Sequence, residues 1–266
     1  MKKLIHDFTV VSNIRLNNSY FILELLAPQP LPLMEPGQFA EVLVPGCKDV
    51  FLRRPLAIHD VNIHENTIRL LIMIVGKGTL ALSQLRAGEL LNLVYPLGTG
   101  FRLPENGDVL LVGGGAGTAP LLFLAHRLFD YGFVPSIVIG GKSYGDILET
   151  RSFEQYCNVY TITEDGSQGE KGLITDHTIF SSVPFPFHTI YACGTTNMLK
   201  AISNLSGQLK VACQVSLDNT MACGIGACLC CVVNTTTGYR LACTDGPVFD
   251  ASDLPGWQNA TTQSGL

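Results

Sequence analysis

Five of the chain's nine cysteines lie between positions 223 and 243. Three of them, Cys223, Cys228 and Cys231, follow a C-x4-C-x2-C spacing, and Cys243 follows after a gap of eleven residues as a distant fourth. That is the spacing of plant-type [2Fe–2S] sites, in which four thiolates converge on two irons. Gly224 and Gly226 suit it, because glycine lets the backbone approach bridging sulfides and turn N–H groups towards sulfur. The segment is too short and too rich in Cys, Gly, Thr and Asp to build a large core, so a metal site is expected to order it. Structural zinc is the rival, but zinc sites usually show two matched C-x2-C pairs. Unrelated buried thiols are the plain alternative. Cys230 could replace Cys231 only by changing the spacing to C-x4-C-x1-C. An odd cysteine count, and no apolar stretch after Met1-Lys2-Lys3, point away from a disulfide framework and to a cytoplasmic location.

The rest of the chain must supply the cores. Apolar residues make up 47% of its 266 residues and charged residues 15%, against about 25% charged in an average soluble domain. This excludes a disordered chain. A net charge of −5 argues against nucleic-acid binding. No convincing apolar run reaches the roughly 20 residues a membrane helix needs. So little charge implies very full cores or a large area held against a partner.

Residues 1–102 read as short strands punctuated by Pro, Gly, Asn and Asp: 8–16, 20–26, 38–44, 67–75 and 89–95. This suggests a small antiparallel barrel. One helix interrupts them, with Thr79 as its expected cap and Gly88 after its end. Residues 103–212 alternate strand and helix: strands at 109–112, 136–140, 159–163 and 189–193, helices at 119–131 and 196–205. Such alternation implies a parallel sheet with helices on both sides. Residues 213–266 form the cysteine-rich third segment.

Two further motifs carry chemistry. Gly113-Gly114-Gly115-Ala116-Gly117 follows a strand and opens a helix, the context in which glycines let a backbone cradle a pyrophosphate. Cys193-Gly194, at the end of a later strand, falls where open parallel sheets bind ligands. A tight turn is the bland reading of the glycines, since the G-x-G-x-x-G register is absent and no acidic residue clearly ends the second strand. In the barrel half, one arginine of Arg53-Arg54 could grip a phosphate, with Gly76-Lys77-Gly78-Thr79 as a second contact.

In order along the chain stand Arg54-x-x-Ala57, the glycine run, Cys193-Gly194-x-x-x-Met198 and the cysteine cluster. That order resembles the ferredoxin–NADP reductase superfamily with an appended [2Fe–2S] segment. More narrowly it is similar to the electron-transfer subunits of class 1B dihydroorotate dehydrogenases, through Leu52–Leu56, Gly76–Thr79, Asp165-Gly166-Ser167, Leu217–Cys228 and Cys243–Phe249. The resemblance implies a multi-domain fold: an antiparallel β-barrel FAD domain, an α/β parallel-sheet NAD domain and a small C-terminal [2Fe–2S] domain. It implies FAD along Arg54, Pro55, Leu56, Ala57, Leu71, Ile72, Met73, Gly78 and Thr79. NAD is expected at Gly113, Gly114, Gly115, Gly117, Cys193 and Gly194, and the cluster on Cys223, Cys228, Cys231 and Cys243. Ala57 replaces an expected Ser or Thr hydroxyl, Ile72 and Met73 are unusually apolar, and Thr195 replaces a proline.

Nicotinamide exchanges two electrons as hydride, whereas an iron–sulfur cluster exchanges one. A flavin can do both, so FAD must sit between them. The family partner is an FMN-containing catalytic subunit that oxidises dihydroorotate to orotate, in a two-plus-two heterotetramer. Electrons would run from FMN through the cluster and FAD to NAD⁺. Two other readings stand beside this one: a reductase subunit of a sulfhydrogenase- or transhydrogenase-type complex, and a zinc-stabilised nucleotide-binding regulatory module. Lys142 and Ser143, near the expected ribose position, leave NAD against NADP open.

Overall fold

The computed structural model describes residues 2–258. Seven strands form the first sheet: β1 (Leu4–Arg15), β2 (Tyr20–Leu26), β3 (Phe39–Val42), β4 (Arg54–Ala57), β5 (Asp60–Asn62), β6 (Thr67–Met73) and β7 (Leu90–Leu97). All neighbours are antiparallel, in the order β4-β3-β7-β1-β2-β6-β5. The sheet curls until β4 meets β6, around a core that includes Phe8, Phe21, Leu23, Ile68, Leu70 and Leu93. Alternation along β6 places Ile68, Leu70 and Ile72 in this core.

Helix α1 (Lys77–Leu82) starts two residues before the expected cap. Thr79 is inside it, and its hydroxyl accepts from the backbone N–H groups of Val75 and Gly76. The hydroxyl therefore orders the loop entering the helix.

The second sheet contains β8 (Asp108–Gly114), β9 (Ser136–Gly141), β10 (Asn158–Thr163), β11 (Glu170–Lys171), β12 (Phe187–Cys193) and β13 (Ala212–Ser216). They are parallel, in the order β11-β10-β9-β8-β12-β13. Helices α2 (Ala119–Asp130), the short α3 (Thr150–Phe153) and α4 (Thr196–Leu209) accompany it. α4 runs four residues past the sequence expectation and stops where Lys210 turns left-handed at φ 56°.

The cysteine-rich segment carries a hairpin of β14 (Val232–Thr235) and β15 (Gly238–Leu241), then β16 (Val248–Asp250). β16 pairs antiparallel with β13 at the edge of the parallel sheet. The boundary expected at 212/213 falls inside β13. β13 extends the parallel sheet to Ser216, and the chain returns to that sheet after the cysteines. The segment is stitched to the nucleotide half by ladder hydrogen bonds, and residues 259–266 lie outside the described part. No helix of the described residues is long and apolar enough to cross a membrane.

The two large halves share a small apolar junction of Tyr20, Ile22 and Leu71 from the barrel with Ala119 and Leu148 from the second half. Beside it His59, fully buried, sends Nδ1–H to the Ala119 carbonyl at 2.7 Å and accepts at its own carbonyl from Phe123 N–H. Glu149 lies 3.0 Å from Arg69 and 3.8 Å from His59 Nε2. Burial alone would raise the Glu149 carboxyl, but His59, Arg69 and Ser152 outweigh it and hold it at about 2. This charged junction fixes how the halves face each other.

Candidate cofactor sites and nucleotide crevice

The four cysteines sit in one loop region as two contacting pairs: Cys223 with Cys228, and Cys231 with Cys243. Backbone N–H groups of Ile225, Ala227 and Cys228 point at Cys223 Sγ from 3.5, 3.3 and 3.4 Å. They, Ile225 above all, hold that thiol down at about 6. Burial and the neighbouring Cys231 push the Cys243 thiol up. Positive φ at Gly224 (66°), Gly226 (87°) and Leu229 (58°) wraps the loop this way; at Leu229, a non-glycine residue, that conformation costs about 1 kcal/mol or more. Among the described residues no three His, Cys, Asp or Glu side chains gather as a single-ion site. Two thiol pairs with inward N–H donors fit a two-iron group, which takes two thiolates per iron, better than one tetrahedral zinc. Cys230 is exposed, outside both pairs.

The cluster loop rests on the barrel. A Cβ placed on Gly224 would fall 2.5 Å from Glu41 Cγ and 3.1 Å from Leu97 Cδ1. Glu41 lies on β3 directly opposite Pro55 of β4. The loop therefore touches the strand pair that carries Arg54-Pro55-Leu56-Ala57. Glu41 is fully buried and neither carboxylate oxygen has a hydrogen-bond partner among the described residues. Burial raises its carboxyl to about 7, against the pull of Arg53. A lone Glu inside the apolar run Phe39-Ala40-Glu41-Val42 was the sequence signal for it.

At the other end of this contact, Thr99 N–H and hydroxyl donate to the carbonyls of Gly246 (2.6 Å) and Asp245 (2.9 Å). The Asp245–Phe249 run thus clamps β7 to the edge of the parallel sheet.

The adjacent arginines divide their labour. Arg53 is spent on structure, donating to the carbonyls of Glu41 and Asn92 and to the Asn92 side chain. Arg54 is half-buried, its guanidinium makes no hydrogen bond to the described residues, and it crosses the start of α1: a Cβ on Gly78 would lie 3.1 Å from its Nε. An unspent guanidinium over a glycine at a helix start fits a phosphate. Pro55, Leu56 and Ala57 are half-buried on the same strand, and Thr79 is buried in its own loop. The strand 71–73 separates the three residues expected along FAD. Ile72 points into the barrel core, Leu71 packs in the junction between halves, and Met73 alone is open. Strand alternation forces this, since neighbours face opposite ways.

In the second half, strand order reverses between β8 and β12, the topological switch point where open sheets bind ligands. Gly113 pairs with Cys193 there. A Cβ on Gly117 would sit 2.3 Å from the Cys193 carbonyl oxygen and 2.5 Å from Gly194 Cα, so only glycine lets the two loops close. Met198 lies across both strand ends: its sulfur is 2.9 Å from a Cβ built on Gly114 and 2.7 Å from one on Gly194. Gly115 takes φ 53° beside the Tyr20 hydroxyl. The glycines expected at the nucleotide thus converge with Cys193 and Gly194 at the carboxyl ends of β8 and β12. The Cys193 thiol, pushed up to about 12 by burial, stays neutral.

An acidic residue does reach the end of the second strand. Asp146 is folded back by the turn after β9, and its Oδ2 accepts from the N–H groups of Lys142 (3.1 Å) and Ser143 (3.3 Å). Ser143-x-x-Asp146 is a capping-box pattern, the signal that could have located it. Tyr144 N–H donates to Ser167 Oγ at 2.7 Å, which ties the Asp165-Gly166-Ser167 loop to the same turn.

Residues 218–255 match the model of the iron–sulfur cluster binding domain of dihydroorotate dehydrogenase B. The chain is 35% identical over 261 residues to the electron transfer subunit of dihydroorotate dehydrogenase B (NAD(+)) of Shouchella clausii, covering 96% of this chain and 99% of that protein. The chain belongs to that family. The counterpart in Bacillus velezensis is 36% identical, with the same coverage. A solved structure of an NADH-dependent reduced ferredoxin-NADP oxidoreductase superposes with a TM-score of 0.84 at 28% identity, over 92% of this chain and 88% of that one. The ferredoxin reductase of carbazole 1,9a-dioxygenase shares the fold, with a TM-score of 0.68 at 19% identity over 79% of this chain and 67% of that one.

Proposed function

We propose that this chain is the electron-transfer subunit of an NAD⁺-dependent dihydroorotate dehydrogenase, taking electrons from a dihydroorotate-oxidising partner and delivering them to NAD⁺. The observation that carries the reading is the seat of the Gly224 loop against Glu41, opposite Pro55, which brings the cysteine pairs beside the strand with the unspent Arg54. When bound, the [2Fe–2S] cluster supplies one-electron transfer and FAD converts it to hydride chemistry at nicotinamide.

The chain's own residues set the order. Cys223, Cys228, Cys231 and Cys243 hold the cluster, and N–H groups of the 225–228 loop stabilise the charged sulfur of Cys223. Arg54 and the Gly78–Thr79 helix start hold the flavin's phosphates, with Pro55, Leu56 and Ala57 along it. Ala57 offers no hydroxyl there, and Met73 is the open side chain on β6. Gly113, Gly114, Gly115, Gly117, Cys193 and Gly194 form the floor of the nicotinamide crevice. Asp146 occupies the N–H groups of Lys142 and Ser143 with a negative charge, which accepts a ribose 2′-hydroxyl and repels a 2′-phosphate. The partner is the FMN catalytic subunit, with two-plus-two stoichiometry and a cytoplasmic setting.

The likeness to the NADH-dependent reduced ferredoxin-NADP oxidoreductase favours a second reading, a reductase subunit in that kind of complex. Asp146 and the relatives 35–36% identical favour the first. Co-purification with a dihydroorotate-oxidising FMN subunit decides between them. The complex is expected to reduce NAD⁺ with dihydroorotate, and the FMN subunit alone is not. A colourless, zinc-loaded complex would remove both redox readings.

A further inference from the structure

Tyr20 starts β2 of the barrel, yet its hydroxyl ends among the loops of the nucleotide half. It donates to Asp146 Oδ1 at 3.2 Å. A Cβ on Gly115 would lie 3.0 Å from the same oxygen, so the hydroxyl stands between the turns that end β8 and β9. Its ring is clamped by Ile22, Leu71, Ala119 and Leu148, and the residue is 3% exposed. A second residue of the same hairpin joins it: Asn17, in the β1–β2 turn, donates from Nδ2 to the Gly145 carbonyl at 2.8 Å. The barrel hairpin therefore grips the Ser143–Asp146 turn at two points.

The consequence falls on Asp146. Its Oδ2 is fixed by two backbone donors, but a carboxylate held at one oxygen can still swing about that anchor. The Tyr20 hydroxyl holds the other oxygen. Burial, with Asp146 adding to it, pushes the phenol up to about 12, so it remains a donor throughout the working pH range. Lys142 stands in the same turn as a cation that would welcome a 2′-phosphate if the carboxylate moved aside.

We propose that Tyr20 is a positioning residue for dinucleotide discrimination, by which the flavin half of the molecule fixes the Asp146 carboxylate of the nucleotide half. The proposal rests on the Asp146 reading above and deepens it: selectivity against a 2′-phosphate is set across the domain junction.

The test uses the purified complex and calorimetric affinities for ADP-ribose and 2′-phospho-ADP-ribose. Tyr20→Phe keeps the ring and removes the hydroxyl. It is expected to shrink the preference for ADP-ribose about fivefold, the scale of one hydrogen bond. Added to Asp146→Asn it is expected to do nothing more. Ile22→Val, which trims the same apolar junction, is expected to leave the preference unchanged; a shift equal to that of Tyr20→Phe would assign the effect to packing and overturn the proposal. An unchanged preference in Tyr20→Phe, with Asp146→Asn shifting it, would overturn the Tyr20 role alone. An unchanged preference in Asp146→Asn would overturn the Asp146 reading and this proposal with it. Should Tyr20→Phe lose its flavin, Asn17→Ala carries the test: a smaller shift in the same direction supports the grip, and none overturns it.

Discussion

Gly224→Ala probes the contact that joins cluster loop to barrel. Two costs arise from the added methyl. The backbone at φ 66° is left-handed, which costs a non-glycine residue about 1–2 kcal/mol. The new Cβ would also lie 2.5 Å from Glu41 Cγ and 3.1 Å from Leu97 Cδ1. Neither neighbour can retreat, because both are fully buried. Overpacking of this kind costs about 1–3 kcal/mol. The sum is about 3 kcal/mol, or a Tm lower by roughly 6–12 °C in a chain of this size. Thermal unfolding of the complex, followed through its visible absorbance, measures it. Glu41→Ala in the same chain is the decisive control. It removes the obstructing Cγ and a carboxylate with no hydrogen-bond partner among the described residues, so it should return the packing part, about 1–2 kcal/mol, and leave the backbone part. If Glu41→Ala rescues none of the loss, the loop does not rest on β3 and the proposed route from cluster to flavin strand falls.

Arg54→Ala should lose FAD on gel filtration while the fold survives, whereas Arg53→Ala, which breaks three hydrogen bonds, should lower Tm; equal flavin loss in both would contradict the division between them. Asp146→Ser should narrow the NAD/NADP preference about tenfold, roughly 1.4 kcal/mol, in steady-state reduction assays; an unchanged ratio would show that the turn does not meet the ribose. Glu149, ionised in the fold with a carboxyl held at about 2, contributes about 3 kcal/mol of stability above the unfolded value near pH 4.5, roughly halved by pH 3 and lost as pH falls through 2. Glu149→Gln should therefore cost about 3 kcal/mol in urea unfolding at pH 7 and less at pH 3; a difference independent of pH would mean that charge is not what holds the junction.

Local chemistry made much of this legible in the sequence. The C-x4-C-x2-C spacing and the glycine run before α2 are short-range patterns, and the structure gathers each where its neighbours in sequence suggest. Long-range packing was not legible. β13 reads like the start of the cysteine segment because it is short and carries Cys213, but its partner β12 makes it a strand of the parallel sheet. Gly117 reads as a phosphate cradle, yet what demands glycine there is the Cys193–Gly194 backbone of a distant strand. Ile72 sits in a run expected along a cofactor, and only the barrel's curl decides that its face is the inner one. Asp146 was hidden because a turn, not the strand itself, returns it to the end of β9. The low charge fraction finds part of its account in these shared faces, where apolar junctions join all three segments.

The central claim is the order of transfer, and Cys223→Ser in the anaerobic complex tests it most directly. Removing one cluster ligand should leave NADH able to bleach the flavin bound to this chain, because that exchange needs only the Arg54 and glycine-crevice sites. Dihydroorotate should no longer reduce that flavin. Bleaching by dihydroorotate at the wild-type rate would place the cluster off the route and contradict the account.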